Sequence, residues 1–322
     1  MHAIRIHQFG DVGALRYEEV PDPQPGSGQV RIAVRAASIN RGDLARRNGT
    51  YPGDVAFPFI LGWEVAGDID AVGEGVDAQR LGQRVVAIAR DGGYAQRFLT
   101  ADFAAMPIPG KLDYDVAASI PVVFLTAWNG LITTAKLQAH EWVLIHAGAS
   151  GVGMAGIQIA KRLGARVLAT ASSAPKLDFA ARLGADATID YSQHDFVEEV
   201  WRLTNGAGVD VVLESVGGEI FEASLDVLRT NGRLISVGNT GAKTATVDPT
   251  ALIRANLSLH GLYLVNWVTN GGAWPALAEI IQLVARGAFR VVIDRRFALA
   301  DAAAAHRYLE ERKNVGKVVL VP

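Results

Sequence analysis

Gly148, Ser150, Gly151 and Gly153 lie close together in the stretch His146–Gly153, which reads HAGASGVG. Small residues at this spacing let a backbone come close to a pyrophosphate and aim the N–H groups of a helix start at it. Read as G-x-G-x-x-G from Gly148, the pattern carries Ser150 in its middle position. Serine is still small, and its hydroxyl can donate to a phosphate oxygen. A lone glycine pattern is a weak signal, because glycines also end helices and make turns. The flanking elements give this one its weight. Val143–His146 is a short apolar run of strand type, and Met154–Leu163 places Met154, Ile157, Ile159, Ala160 and Leu163 on an apolar helical face. Gly164 closes that helix, and Arg166–Thr170 is a second apolar strand. Strand, glycine turn, helix and strand form a βαβ unit, the context in which the pattern indicates nucleotide binding.

The end of the second strand bears on which nucleotide. NAD-preferring sites carry an acid there, about 20 residues past the glycines, to hold the ribose hydroxyls. Here Ala171, Ser172 and Ser173 occupy the place, no acid precedes Asp178, and Lys176 lies just beyond. A carboxylate repels a 2′-phosphate, whereas hydroxyls and an ammonium bind one. Ser173 is equally suited to capping the next helix, with Pro175 in its first turn and Lys176 facing solvent. The missing acid favours NADPH.

Composition narrows the class. The chain has 322 residues, with 31 basic and 33 acidic side chains and no long run of one sign. That balance supports neither nucleic acid nor an anionic membrane as partner. Without a single cysteine, disulfides, iron–sulfur clusters and cysteine-ligated zinc are excluded. The seven histidines show no ligand spacing, so no metal site is expected. Met1–His7 is strand-like rather than a leader, and apolar stretches such as Val116–Trp128 are broken and too short to span a bilayer. A soluble, cytoplasmic protein is expected.

Residues 1–110 read as all-β. Gln29–Ala36, Val65–Val72, Arg84–Ala89 and Ala95–Thr100 are strands separated by glycine and proline clusters. From Asp113 helices alternate with apolar strands, which implies a parallel sheet with helices on both faces. The helices read as Tyr114–Ser119, Val122–Leu131, Lys176–Leu183, Phe196–Thr204 and Ile220–Leu228. The further strands are Ala187–Tyr191, Val209–Ser215, Arg233–Val237 and Leu257–Val265. A helix over Trp274–Arg286, a segment Val291–Phe297, a helix over Ala300–Glu310 and a strand over Lys317–Val321 return to α+β character.

The chain as a whole resembles the zinc-free branch of the medium-chain dehydrogenase/reductase superfamily, in particular its quinone oxidoreductase-like NADPH enzymes. The resemblance rests on AASINRGD (Ala36–Asp43), PFILGWEVAG (Pro58–Gly67), LTAW (Leu125–Trp128), HAGASGVG, LGADATIDY (Leu183–Tyr191), GVDVVLESVG (Gly208–Gly217), NGRLISVG (Asn231–Gly238) and GKVVL (Gly316–Leu320). It implies an α/β fold: a doubly wound Rossmann domain over 121–262, inserted in a β-rich, GroES-like catalytic domain formed by 1–120 and 263–322. Where zinc-dependent relatives carry a cysteine and a G-H-E histidine, this chain has Asn40 and Trp63. Hydride delivery without a Lewis acid suits quinones and α,β-unsaturated carbonyls, since the incoming charge spreads onto oxygen.

The resemblance also implies roles. Asn40 and Tyr51 are the catalytic candidates, with Asp43 beside them. Tyr51 stands eleven residues after Asn40, the spacing at which 2-enoyl thioester reductases carry a proposed proton-donating tyrosine. It is also readable as a loop tyrosine covering apolar surface. Asn40 reads either as a donor to substrate oxygen or the nicotinamide ribose, or as a turn residue. Asp43 is expected to tie the loop to backbone or to Arg46, and Glu64 to be a paired, buried acid. Thr126 is expected at the nicotinamide ribose. Ser150, Gly151, Val152 and Gly153 go to the diphosphate, and Ser172, Ser173, Lys176 and Tyr191 to the 2′-phosphate region. Val237, Gly238 and Asn239 follow a strand end, where ligands of parallel sheets collect, and Asn314 is a further cofactor candidate. Gly261–Val265 is expected to line the nicotinamide pocket or to pair subunits.

The expected activity is NADPH-dependent reduction of a small quinone or conjugated carbonyl by a homodimer. One alternative is a 2-enoyl thioester or enone reductase using Tyr51. There, Arg41, Arg46 and Arg47 are candidates for coenzyme A phosphates, against plain solvated charges. A non-catalytic NADPH-binding or nucleic-acid-binding protein is the other alternative.

Overall fold

The computed structural model describes all 322 residues. The chain divides into two compact units, Met1–Val122 with Gly272–Pro322, and Val123–Gly271. The first unit carries β1 (His2–Ile6), β2 (Arg16–Glu19), β3 (Gln29–Ile39), α1 (Arg41–Asn48), β4 (Phe59–Ile60) and β5 (Glu64–Val72). Strands β6 (Arg84–Ile88), β7 (Arg97–Ala101) and β8 (Ala105–Pro107) follow, then α2 (Tyr114–Ala118); α3 (Pro121–Trp128) begins in this unit and runs into the second. The second unit contains β9 (Trp142–Ile145), α4 (Gly151–Arg162), β10 (Arg166–Ala171), α5 (Ala174–Arg182), β11 (Ala187–Asp190), α6 (Phe196–Leu203) and β12 (Val209–Glu214). It continues through α7 (Glu219–Leu225), β13 (Leu228–Ser236), α8 (Pro249–Ala255), β14 (Ser258–Gly261) and α9 (Leu264–Thr269). The chain then returns with α10 (Ala273–Ala285), β15 (Ile293–Ala298), α11 (Ala302–Glu310) and β16 (Lys317–Val321). No helix is long and apolar enough to cross a membrane.

In the first unit the main sheet runs β15-β16-β3-β5-β6-β8, with β7 also paired to β3. All its pairings are antiparallel except β15 with β16. Strand β3 alternates, with Val30, Ile32 and Val34 buried in a core that also holds Ile4, Ile69, Val85 and Leu320. The expectation of an all-β region over 1–110 is corrected at α1. Asn40 N–H donates to the Asp43 carboxylate at 2.7 Å, and Asp43 N–H returns to the Asn40 carbonyl at 3.0 Å. Gly49 then leaves the helix at φ 81°. This reciprocal cap and a left-handed glycine stop are local helix signals, and they prevail over the β character of the flanking segments.

In the second unit six parallel strands run in the order β11-β10-β9-β12-β13-β14. Strand β12 is buried at every residue, as a central parallel strand covered on both faces must be. The chain builds outward from β9 through β10 to β11, then crosses to the other side of β9 for β12. The carboxyl ends of β9 and β12 therefore mark the reversal of strand order where doubly wound sheets hold ligands.

Two further expectations are corrected here. The helix expected over Val122–Leu131 is α-helical only to Trp128 and continues as a π-helical turn, Asn129–Thr134. The strand expected over Leu257–Val265 ends at Gly261. Leu264, Trp267 and Val268, at helical spacing, form the covered side of α9. A short apolar run does not by itself distinguish the two periods. The second unit accordingly runs to Gly271 rather than to 262.

His146, directly after β9, is buried. Its Nδ1 lies 3.0 Å from the Thr170 hydroxyl and its Nε2 2.9 Å from that of Ser224. Burial pushes this imidazole down to about 4. Its contribution to stability is therefore full above the unfolded value of about 6.5 and is lost as pH falls towards 4. We expect the pH dependence of unfolding free energy between those values to flatten in His146→Gln. The change should reach about 1.4 kcal/mol per pH unit, the slope of one proton. Denaturant titrations at several pH values measure it.

Candidate active site

The glycine turn of the second unit is shaped by contacts that admit little else. Ala147 takes a left-handed conformation at φ 51°, and Gly148 N–H donates to Thr170 O at 2.8 Å. A Cβ on Gly153 would stand 2.4 Å from Ala147 O, so the first turn of α4 fits against the strand exit only as glycine. Ser150 is the N-cap of α4, its Oγ accepting from Gly153 N–H at 3.0 Å. The hydroxyl hydrogen is left to donate elsewhere. Gly151 and Val152 N–H have no acceptor within the chain and lie at the positive end of a twelve-residue helix. A diphosphate fits this turn.

At the end of β10, Ser172 leads into Ser173, the N-cap of α5, and Lys176 sits in the first helical turn. Tyr191 N–H donates to Ala171 O at 3.2 Å, which brings the half-exposed Tyr191 beside Ser172. The nearby acid, Asp190, is turned to its own loop. Its Oδ1 takes Ser192 N–H and hydroxyl at 3.0 and 2.6 Å, bonds that also hold its carboxyl below the ordinary value. Ser172, Ser173 and Lys176 thus follow β10 with no acid among them, a set of residues that suits a 2′-phosphate.

Val237, Gly238 and Asn239 follow β13, with Val237 N–H bonded to Glu214 O. Asn239 is engaged by its own loop, donating to Lys243 O at 2.9 Å and accepting from Lys243 N at 3.3 Å. Thr126 is buried in α3. At the end of β12, Glu214 is fully buried. Its Oε1 accepts from Val216 and Gly217 N–H, while Oε2 has no partner, and desolvation raises its pKa.

The first unit contains a buried polar network that joins residues far apart in sequence. Lys317, on β16, donates to Ile39 O at 3.2 Å, to Asn40 Oδ1 at 2.6 Å and to Glu64 Oε1 at 3.1 Å, which occupies all three ammonium protons. Asn40 Nδ2 donates to Glu64 Oε1 at 2.8 Å, and Val122 N–H to Glu64 Oε2 at 2.7 Å. Glu64 and Lys317 side chains are 0% and 3% exposed. Glu64 is thus the paired, buried acid that the residue pattern implied. One Nδ2 hydrogen of Asn40 remains without an acceptor.

Asp43 is tied to the backbone of Asn40, but Arg46 is not its partner. Arg46 instead grips both carboxylate oxygens of Asp91, at 3.2 and 2.7 Å. Desolvation pushes the Asp43 carboxyl up to about 7, against the pull of Asn40 N–H and the Tyr94 hydroxyl. Tyr94 in turn meets His306 Nε2 at 3.2 Å, and His306 Nδ1 meets Arg47 at 3.2 Å. Arg47 can only donate, so Nδ1 accepts and Nε2 carries the proton that goes to Tyr94. Burial and the Arg47 charge drive His306 down to about 3. Nothing in the spacing of Tyr94, His306 and Lys317 marks them, because only the fold brings them together.

Tyr51 is placed by the C-terminal end of α1, its N–H bonded to Ala45 O at 3.1 Å. Its ring folds back over the first turn, where a Cβ on Gly42 would lie 3.3 Å from the ring edge, and meets Trp63 edge-on at 5.1 Å. Asn40 and Tyr51 are thus gathered around the start of α1, with Trp63 buried beneath. Asn314 lies elsewhere in this unit, where its Nδ2 donates to Gly316 O at 2.9 Å.

Two family models match this chain: an alcohol dehydrogenase GroES-like domain over residues 26–112, and a zinc-binding dehydrogenase domain over 183–320. The quinone oxidoreductase of Pseudomonas aeruginosa is 35% identical over 322 residues, covering 99% of both chains. The chain belongs to the zinc-free, quinone oxidoreductase-like family of medium-chain dehydrogenases/reductases. Within this family, the Escherichia coli quinone oxidoreductase solved with NADPH superposes at a TM-score of 0.93, with 31% identity and full coverage of both chains. A phenolphthiocerol/phthiocerol polyketide synthase of Mycobacterium tuberculosis is 36% identical over 98% of this chain, which spans only 14% of that protein's length. Although the second family is named for zinc binding, the positions of the zinc-ligating cysteine and histidine are here Asn40, engaged by Glu64 and Lys317, and Trp63, packed on Tyr51.

The Glu64–Lys317 pair carries a prediction. Lys317→Met leaves the Glu64 charge buried and unpaired, and we expect a loss of about 3–5 kcal/mol in unfolding free energy. Adding Glu64→Gln to that variant should recover most of it. Denaturant unfolding of the two variants and the parent tests both statements.

Proposed function

We propose that this chain is an NADPH-dependent reductase that delivers hydride, without zinc, to quinones or related conjugated carbonyls. The oxidoreductase class and the cofactor follow from the family; the acceptor is our reading. The observation that carries it is the pairing of unpartnered Gly151 and Val152 N–H groups with a β10 end where Ser172, Ser173 and Lys176 stand in place of an acid. When bound, NADPH supplies the hydride. In this reading the second unit is the nucleotide domain and the first the catalytic one.

Ser150, Gly151, Val152 and Gly153 hold the diphosphate. Ser172, Ser173, Lys176 and Tyr191 hold the 2′-phosphate. Thr126, Val237, Gly238, Asn239 and Asn314 complete the cofactor contacts. Asn40, oriented by Glu64 and Lys317, offers its remaining amide hydrogen to the acceptor oxygen, where negative charge develops. With a quinone the transferred hydride leaves a hydroquinone monoanion, whose one phenolate charge is neutralised by a single proton from solvent, so no protein acid is required. Cytoplasmic location and a homodimeric state belong to the same reading.

A second reading is favoured by the seat of Tyr51 over Gly42 and by the similarity to a polyketide synthase. There the acceptor is an enoyl thioester or enone, and the Tyr51 phenol gives its proton to the enolate carbon.

NADPH oxidation against a quinone panel and an enone and enoyl thioester panel separates the two. We expect quinone turnover to survive Tyr51→Phe within about threefold, whereas a loss of roughly 100-fold or more with a preferred enoyl substrate would assign proton donation to Tyr51. For the cofactor, Lys176→Glu should weaken NADPH by roughly 10- to 100-fold, as expected for loss of a charged hydrogen bond, and NADH much less. Equal losses for the two nucleotides in fluorescence titration would remove Lys176 from the phosphate site.

A further inference from the structure

Three arginines lie on α1, and their surroundings differ in kind. Arg46 and Arg47 are buried and fully engaged. Arg46 bonds Asp91 and Gly53 O, and Arg47 bonds Gly10 O, His306 and Glu310. Neither is a solvated charge, and neither is available to a ligand. Arg41, the first residue of the helix, is partly buried and makes no ion pair or hydrogen bond. Elsewhere in this unit every arginine withdrawn from solvent has an oxygen partner: Arg5 with Glu18, Arg31 and Arg97 with Asp70, Arg80 with Asp102, and Arg84 with the carbonyls of Gly110 and Leu112.

The charge most strongly felt by Arg41 is another cation, Arg312, just past the end of α11. The adjacent carboxylate, Glu310, is already held by Arg47. Desolvation first and the Arg312 charge second pull the Arg41 pKa down, against a smaller opposing pull from Glu310. Arg41 also follows Asn40 directly and precedes Gly42, on which the Tyr51 ring rests. Arg41 therefore stands in the chain between the two positions whose residues are assigned to the reacting carbonyl. The amino-terminal end of α1 adds to the attraction for an anion.

We propose that Arg41, with Arg312 beside it, binds an oxyanion carried by the acceptor, so that the natural substrate is an anionic conjugated carbonyl. The inference rests on the reductase reading above and specifies its substrate class. A guanidinium takes carboxylate and phosphate alike. The anion therefore has two possible sources, a carboxylate on a small acceptor or a phosphate of a coenzyme A thioester.

Two matched pairs of acceptors distinguish them: 4-oxopent-2-enoate against its methyl ester, and crotonyl-CoA against the crotonyl thioester of N-acetylcysteamine. The quantity read is the ratio of kcat/KM, anionic over neutral, with NADPH. In Arg41→Gln we expect that ratio to fall tenfold or more in one pair, through KM rather than kcat, and Arg41→Lys to restore part of it. The pair that responds identifies the source. Arg312→Gln should move the same ratio in the same direction, and the NADPH dissociation constant of Arg41→Gln should stay within twofold of the parent. Ratios unchanged in both pairs would overturn the role of Arg41 while leaving the reductase reading intact. So would a rise in the NADPH constant that accounts for the whole loss. Turnover of neither pair by the parent protein would overturn both.

Discussion

The first unit depends on one buried ion pair. Lys317 and Glu64 bring together the end of β3, the start of β5, the start of α3 and the first residue of β16, positions 39, 64, 122 and 317 of the chain. A buried pair of this kind adds little net stability relative to apolar packing, because both ions are desolvated. Its consequence is geometric. With every ammonium proton engaged and both carboxylate oxygens occupied, Asn40 has one orientation, and α1 begins from a fixed point. Arg41, Gly42 and the seat of Tyr51 inherit that position.

Asp43, Tyr94, His306 and Arg47 extend the same logic. Arg47 sets the tautomer of His306, and His306 directs its proton at Tyr94, beside an acid that desolvation raises to about 7. These groups add polar contacts between α1 and α11 to the apolar core that Leu44, Ala305 and Leu309 share. They are costly to bury and costly to break, and such networks hold one arrangement where a greasy interface would tolerate several. The second unit works by different means. Its central strand β12 is buried along its whole length, and the α4 start exists because Gly153 allows the helix to lie against Ala147 O.

Local pattern carried much of this protein. The βαβ unit around the glycines, the absence of an acid after β10, the alternation of helices and strands and the cysteine-free composition are all readable because each rests on residues close in sequence. Helix α1 was equally legible in principle, through the Asn40–Asp43 cap and Gly49, although its surroundings read as β. Helix α9 was less so, since Leu262–Val265 satisfies either period over so short a run.

Tertiary structure decided which charges are neutralised. Arg41, Arg46 and Arg47 are indistinguishable as letters on one helix. The partners of Arg46 and Arg47, namely Asp91, His306 and Glu310, lie up to 263 residues away. Whether a guanidinium meets a carboxylate, a carbonyl or another guanidinium depends on how the chain closes on itself, and no local periodicity encodes that. The amino-acid sequence by itself determined a nucleotide-binding turn and the class of cofactor it suits. The folded chain determined which cations are satisfied internally and left Arg41 for a ligand, because electrostatic pairing is set by distance in space and not by distance along the chain.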